Sequence, residues 1–319
     1  MRTAISSPSS DTNEGLFDSF WEYRSSAVNH CIIFGTPRSG TTYLTQALET
    51  LRGTEGKTGQ LLPVVTFHLL NQDLPAWHRE AIRGSLRRSI DIYLSGEYNS
   101  RFRTLEDWVR APSQVQRLYH VVRRGERPRP DWFVYKEPFL SLAPEFPLDA
   151  LPDANIIYIY RDGRDVANSL VESYNVLTDQ ELTHLRSTEM RLGRPYDERY
   201  VPWWVAEGRG DEFIESSPYV RAIWMWAYMV RRCHQYFQDL EASGQVLQVQ
   251  YEAFMRDPHS VGKQILEHLD RSDTRAFHRH LDRARSTSIG KHEQRPKDEV
   301  NAAVSIAGDM LTTLGYITR

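Results

Sequence analysis

An apolar run, Cys31-Ile-Ile-Phe34, passes directly into Gly35-Thr-Pro-Arg-Ser-Gly-Thr-Thr42. A helical pattern follows, with Tyr43, Leu44, Ala47, Leu48 and Leu51 on one side over Thr41–Leu51. This order of strand, glycine-bounded loop and helix constrains the chain more than any other feature. The glycines let the backbone turn tightly and expose successive N–H groups, and the positive end of the helix adds to an anion site. The frame is that of a phosphate loop whose lysine is missing, because Thr41 stands at that position. Nucleoside-triphosphate enzymes use that lysine to hold the β- and γ-phosphates, with Mg²⁺ on the next hydroxyl. Its replacement favours a nucleotide ending in a 5′-diphosphate-like group. Arg38 brings positive charge into the loop, and Thr41 and Thr42 bring hydroxyls.

Three further apolar runs, Trp132–Tyr135, Ile156–Tyr160 and Val246–Val249, each precede a loop and a helical pattern. Such runs read as strands buried on both faces. Their alternation with helices predicts an α/β fold with a central, mostly parallel sheet, and ligands at the carboxyl ends of its strands. The clearest later helices are expected over Asp165–Tyr174, with Asp165 as N-cap, and over Pro258–Leu269, with Asp257 as N-cap and proline in the first turn. A chain of 319 residues suits one large domain over residues 15–319. Residues 1–14, rich in Ser, Thr and Asp, read as a disordered arm. Residues 171–218 are less regular and read as a mobile, insert-like cover on the acceptor site or as a long surface connection.

The net charge of -3 argues against a general nucleic-acid binder and makes any anion site local. Cys31 and Cys233 lack metal-ligand or CxxC spacing and read as buried thiols. The longest apolar stretch, Ala222–Val230, is flanked by Arg221, Arg231 and Arg232 and falls short of the roughly 20 residues that span a bilayer. No apolar core of a signal peptide opens the sequence. A cytoplasmic location is expected.

A second motif starts at a strand end. Ile156–Tyr160 runs into Arg161-Asp-Gly-Arg-Asp-Val-Ala-Asn-Ser169. An arginine fork and a hydroxyl eight residues on can hold a phosphate between them. Alone, the string reads as a salt-bridged helix start. Asp162 also admits a reading as a metal-holding aspartate, a weak one without the loop lysine. Taken together, in this order and at this distance, the two motifs resemble those of the sulfotransferases that use 3′-phosphoadenosine 5′-phosphosulfate (PAPS). Gly35–Thr42 looks like their 5′-phosphosulfate loop, with Arg38 where many cytosolic members carry lysine. Arg161 and Ser169 match their 3′-phosphate motif.

The resemblance implies a P-loop-like sulfotransferase fold, PAPS as co-substrate and no metal. It implies contacts to PAPS from Pro37, Arg38, Ser39, Gly40, Thr41, Thr42, Arg161 and Ser169. It also implies Tyr251 near the adenine, and a loop of Ser288, Ile289, Gly290 and Lys291 closing over the nucleotide, with Lys291 on phosphate. The family's fuller Arg-Lys-Gly form of that loop is absent here.

Sulfuryl transfer needs cations and N–H donors at the leaving oxygen and a base for the acceptor proton. Arg38 and Lys136, at the end of the strand Trp132–Tyr135, suit the first role. The histidine that many cytosolic members carry two residues after that lysine is Pro138 here. Glu55, His68 and Glu137 remain as candidate bases. His68 is favoured, since its distance from the loop resembles that of a glutamate in some carbohydrate sulfotransferases and an imidazole suits the role near neutral pH. Glu137 is equally explained as a partner of Lys136. Trp77, Trp108, Tyr196, Trp203, Trp204, Trp224 and Trp226 suggest an aromatic-lined acceptor site. The acceptor expected is a hydroxyl or amine on a hydrophobic or carbohydrate small molecule. Two other readings are a small-molecule P-loop kinase and a non-catalytic nucleotide-binding protein of the same fold.

Overall fold

The computed structural model describes residues 28–63, 65–70, 72–94, 130–187 and 193–318. The proposed N-terminal arm and Trp108 lie outside them.

The strands are β1 (Asn29–Phe34), β2 (Thr54–Thr58), β3 (Trp132–Lys136), β4 (Asn155–Tyr160), β5 (Gly193–Tyr196), β6 (Arg199–Pro202) and β7 (Val246–Gln250). Five of them form one parallel sheet in the order β2-β3-β1-β4-β7, while β5 and β6 pair as an antiparallel hairpin. The four strands expected from apolar runs are all present. The fifth, β2, has the polar sequence Thr-Glu-Gly-Lys-Thr and pairs only with β3, so at the sheet edge burial does not dictate its composition.

The twofold period of a strand divides the core in two. Ile32, Phe34, Phe133, Tyr135, Ile156 and Tyr158 face one side of the sheet, and Cys31, Ile33, Val134, Ile157, Ile159 and Val249 face the other. The chain order of the helices is α1 (Thr41–Leu48), α2 (Val65–Leu70), α3 (Ala76–Leu94), α4 (Glu145–Ala150), α5 (Gly163–Tyr174), α6 (Asp179–Ser187), α7 (Gly210–Glu215), α8 (Pro218–Glu241), α9 (Tyr251–Arg256), α10 (Pro258–His268), α11 (Arg275–Leu281) and α12 (Lys297–Thr313). The first face is covered by α5, α8 and α12, among others; the second is covered by α1, α9, α10 and α11. Ala222–Val230 lies in α8, largely buried, and no described helix is long and apolar enough to cross a membrane. Cys31 and Cys233 are free and buried.

Two helix ends differ from expectation. The α1 helix stops at Leu48, although Leu51 still packs beneath it. The α5 helix starts at Gly163 with Asp162 as N-cap, not Asp165, because the Asp162 carboxylate accepts the Arg164 N–H at 2.9 Å. Asp257 caps α10 as expected, accepting the Ser260 N–H.

Residues 171–218 are not a loose connection where they are described. They build α6, the β5–β6 hairpin and α7, and Arg221 of α8 pins them from behind. Its buried guanidinium donates to the carbonyls of Leu177 (2.8 Å), Phe213 (3.0 Å) and Ile214 and to the Asp179 carboxylate (2.7 Å). One side chain thereby fixes the α5–α6 linker, the start of α6 and the end of α7.

Candidate active site

The central strand β1 has its later neighbours β3 and β4 on opposite sides, so chain connections diverge at its carboxyl end and leave a crevice there. The loop after β1 fills that crevice and is shaped by close contacts. A Cβ on Gly35 would stand 2.4 Å from the Ile159 carbonyl oxygen, and one on Gly40 would stand 2.6 Å from the Tyr251 ring. Gly40 and Arg38 both hold positive φ, +87° and +70°; the second is unusual for a residue with a side chain. The Gly35 N–H donates to Ser141 Oγ (3.2 Å), and the hydroxyls of Thr36 and Ser39 lie 2.6 Å apart. Gly40 is the N-cap of α1 and brings no capping side chain, so the first N–H groups of the helix keep their donor capacity.

Arg161 leaves the end of β4 and meets this loop. Its guanidinium donates to the Arg38 carbonyl (2.9 Å) and the Ser288 carbonyl (2.5 Å), and it lies over the Tyr251 ring at 4.6 Å. Its buried Nε has no hydrogen-bond partner among the described residues, so one donor is unspent. The Arg38 Nε donates to Ser169 Oγ (2.9 Å) and its Nη1 to the Tyr174 hydroxyl (3.3 Å). Two motifs 131 residues apart therefore close on one another.

A C-terminal segment completes this end. The Asp165 carboxylate, 1% exposed, accepts N–H groups from Gly290 (2.7 Å) and His292 (3.0 Å) and contacts His292 Nδ1 at 2.8 Å. Arg161 Nη2 is 3.9 Å from the same carboxylate. Burial pushes the Asp165 carboxyl up, but the hydrogen bonds from His292 and Gly290 together outweigh it and hold the group below its ordinary value. Tyr251 and Ser288 share a hydroxyl contact of 2.8 Å.

At the end of β3, Lys136 and Glu137 are both buried. Desolvation lowers the Lys136 ammonium, against the pull of Glu137. Desolvation raises the Glu137 carboxyl, against the Phe139 N–H and the charges of Lys136 and Lys57. Lys136 and Glu137, with Arg38, Arg161, Ser169, Tyr251 and Ser288, border a cavity of about 700 Å³ whose remaining lining is largely apolar.

Residues 31–275 match the model of the sulfotransferase family. The chain belongs to that family. Among solved sulfotransferases, the one called STF9 from Mycobacterium avium is 16% identical, with 91% of this chain and 77% of that one covered and a TM-score of 0.47. A sulfotransferase from Alicyclobacillus acidocaldarius is 19% identical, with 92% and 98% covered and a TM-score of 0.45. None of the curated proteins matches the chain.

The sulfotransferase cavity gathers most of the residues expected from sequence. Pro37, Arg38, Gly40, Thr41, Thr42, Lys136, Glu137, Arg161, Ser169, Tyr251 and Ser288 line it. Ser39 does not: it is fully buried and braces the loop through Thr36. Gly290 serves through its backbone bond to Asp165, and Lys291 is exposed and outside the lining. Glu55 lies on β2, accepts a contact from the Tyr93 hydroxyl at 3.4 Å and does not line the cavity. His68 belongs to α2, but its side chain lies outside what is described. Asp162 pairs with Arg164 and caps α5. Of the aromatic residues, Trp203 and Trp204 line the cavity, Trp224 and Trp226 are core, and Trp77 is 68% exposed.

Sequence reasoning missed three supports. Asp165 was expected at a helix cap and instead anchors the C-terminal loop. Glu252, buried, accepts the Asp162 N–H (3.0 Å) and the Tyr316 hydroxyl (2.9 Å), tying the β4–α5 turn to α9 and the chain end. Arg221, next to an apolar stretch, gave one available signal: a charged residue flanking such a run needs partners if it is buried.

Proposed function

We propose that this sulfotransferase moves a sulfuryl group from PAPS to the hydroxyl of a small-molecule acceptor. The observation that carries the donor assignment is the meeting of Arg38, Ser169 and Arg161 in one cavity, with the Arg161 Nε unspent. A nucleotide carrying anionic groups at both its 5′ and 3′ positions fits two cationic groups so placed. The loop N–H groups, Arg38, Thr41 and Thr42 would hold the 5′-phosphosulfate, and Arg161 and Ser169 the 3′-phosphate.

In the reaction the acceptor oxygen forms a bond to sulfur as the bond from sulfur to the bridging phosphosulfate oxygen breaks. The leaving nucleotide keeps that electron pair. Lys136 and Arg38 balance the charge that develops on the bridging oxygen. Glu137 takes the acceptor proton: it lines the cavity, and its raised affinity for a proton suits a general base. Of the two candidate bases whose side chains are described, Glu55 is outside the cavity.

The test is a titration of the full chain with 3′-phosphoadenosine 5′-phosphate and with ADP, each with and without Mg²⁺, followed by calorimetry. Tight, metal-independent binding of the first nucleotide is expected, and Arg161→Ala should weaken it. Preference for ADP with Mg²⁺ would instead support the kinase reading. Nucleotide binding without turnover over a broad acceptor panel would support the non-catalytic one.

A further inference from the structure

The cavity has two ends of opposite character. Arg38, Thr41, Thr42, Arg161 and Ser169 concentrate charge and hydroxyls at one end. Lys136 and Glu137 stand at the end of β3, the position assigned to the reacting groups. The rest of the wall comes from several separate parts of the chain, α5 and α6 among them. The turn after β3 gives Leu142, the α5–α6 linker Leu177, the hairpin Tyr200, the residues after it Trp203 and Trp204, and α8 Met225. Beyond Glu137, the one carboxylate on the described lining is Glu181, and it accepts the Leu177 N–H. The described lining contains no Asn, Gln, Asp or His.

This composition discriminates between acceptors. A sugar enters with several hydroxyls, and each one buried without a partner costs about tenfold or more in affinity. An apolar body gains from the same wall in proportion to the area it buries. The wall is also braced. The Trp203 ring meets Tyr228 edge-on at 5.5 Å, Trp204 meets Phe213 edge-on at 5.6 Å, and Arg221 fixes the linker that carries Leu177. A wall held from behind needs little ordering when a ring is laid against it.

We infer that the acceptor is an uncharged, largely apolar alcohol or phenol, bound with its hydroxyl toward Glu137 and its hydrocarbon body against Trp203, Trp204, Leu177 and Met225. The inference rests on the sulfuryl-transfer reading and specifies its acceptor as an apolar alcohol and not a carbohydrate.

The experiment uses the full chain with PAPS as donor, 2-naphthol as the apolar probe and N-acetylglucosamine as the sugar probe. Calorimetry first measures 3′-phosphoadenosine 5′-phosphate, then 2-naphthol added to the nucleotide-saturated protein. Expected are binding of 2-naphthol and a kcat/KM at least about 100-fold that of the sugar. The Trp203→Ala variant should raise KM for 2-naphthol about tenfold and leave the nucleotide Kd within about twofold. Met225→Gln, nearly isosteric, should act in the same direction if Trp203→Ala fails to fold. Equal or better use of the sugar overturns the inference. So does a protein that binds the nucleotide and neither binds nor sulfates 2-naphthol. Failure to bind the nucleotide at all sinks the donor assignment and this inference with it.

Discussion

Replacing Asp165 by Asn tests how the C-terminal loop is held over Arg161. The carboxylate uses one oxygen for the Gly290 N–H and the other for the backbone and side chain of His292. An amide keeps one acceptor oxygen and turns its NH₂ group toward an N–H donor. At least one charge-assisted hydrogen bond, worth about 1.5–3 kcal/mol, becomes a donor–donor contact, and a buried N–H is left unmatched at a further cost of about 1–3 kcal/mol. The expected loss is on the order of 3 kcal/mol near neutral pH. Its pH dependence has a definite sign. The folded-state value of Asp165 lies below its ordinary 3.8, so its contribution is complete above that ordinary value and disappears as pH falls through the lower, folded one. The stability gap between parent and variant should therefore be full at pH 7 and shrink on descending from about pH 5. Urea melts at a series of pH values measure it. Arg161 also donates to Ser288 in the same loop, so loosening the loop should raise the Kd for 3′-phosphoadenosine 5′-phosphate about tenfold, one hydrogen bond's worth. A gap below about 0.5 kcal/mol at pH 7, or one constant from pH 7 to pH 3, would refute the reasoning.

Three other outcomes follow from the site and its supports. Glu137→Gln should lower kcat by about 10²–10⁴-fold and abolish the acid limb of the pH–rate profile, which in the parent sits above the usual carboxylate range; an unchanged limb would assign the proton elsewhere, with His68→Ala as the next variant. Arg221→Ala removes the donor from the Leu177 carbonyl and one donor each from Phe213, Ile214 and Asp179, of which the last two keep Arg199, and should cost about 3 kcal/mol in a thermal or urea melt, with Arg221→Lys recovering only part; a loss under about 1 kcal/mol would show that the linker is held otherwise. Gly40→Ala meets both a positive φ and the Tyr251 ring, so it should cost about 1–3 kcal/mol and weaken nucleotide binding, and Tyr251→Ala in the same chain should relieve the clash but not the backbone strain.

Much of this molecule is legible without coordinates, for reasons that particular residues make plain. Ile32, Ile33, Ile156 and Ile157 read as strand because a sheet covered on both faces needs apolar side chains at consecutive positions. The loop from Gly35 to Thr42 and the Arg161–Ser169 pair read as anion sites because their chemistry is local. The strand β2 was not legible, since an edge strand has no such need and Thr54–Thr58 carries none of the pattern. Nor was the role of Asp165. Its partners Gly290 and His292 are more than 120 positions away, and a carboxylate early in a helix has a ready local explanation as a cap. The cavity wall after Val171 stayed hidden for a related reason. Its order comes from Arg221, a residue outside the segment, and irregular sequence does not reveal whether its carbonyls find a donor elsewhere.

The Arg38–Ser169 and Arg161–Ser288 contacts join stretches more than 120 residues apart, and this has a consequence for assembly. No fragment shorter than most of the chain holds the whole cavity. The loop-closure entropy of several long crossovers must be met before the first of these contacts forms. A molecule that occupies the cavity therefore recognises only the completed fold. By mass action it stabilises that fold by about 2.7 kcal/mol at a hundred times its Kd. Ligands of this site should act as folding templates, raising the yield of native chains destabilised far from the cavity, and their rank order as rescuers should follow their rank order as binders.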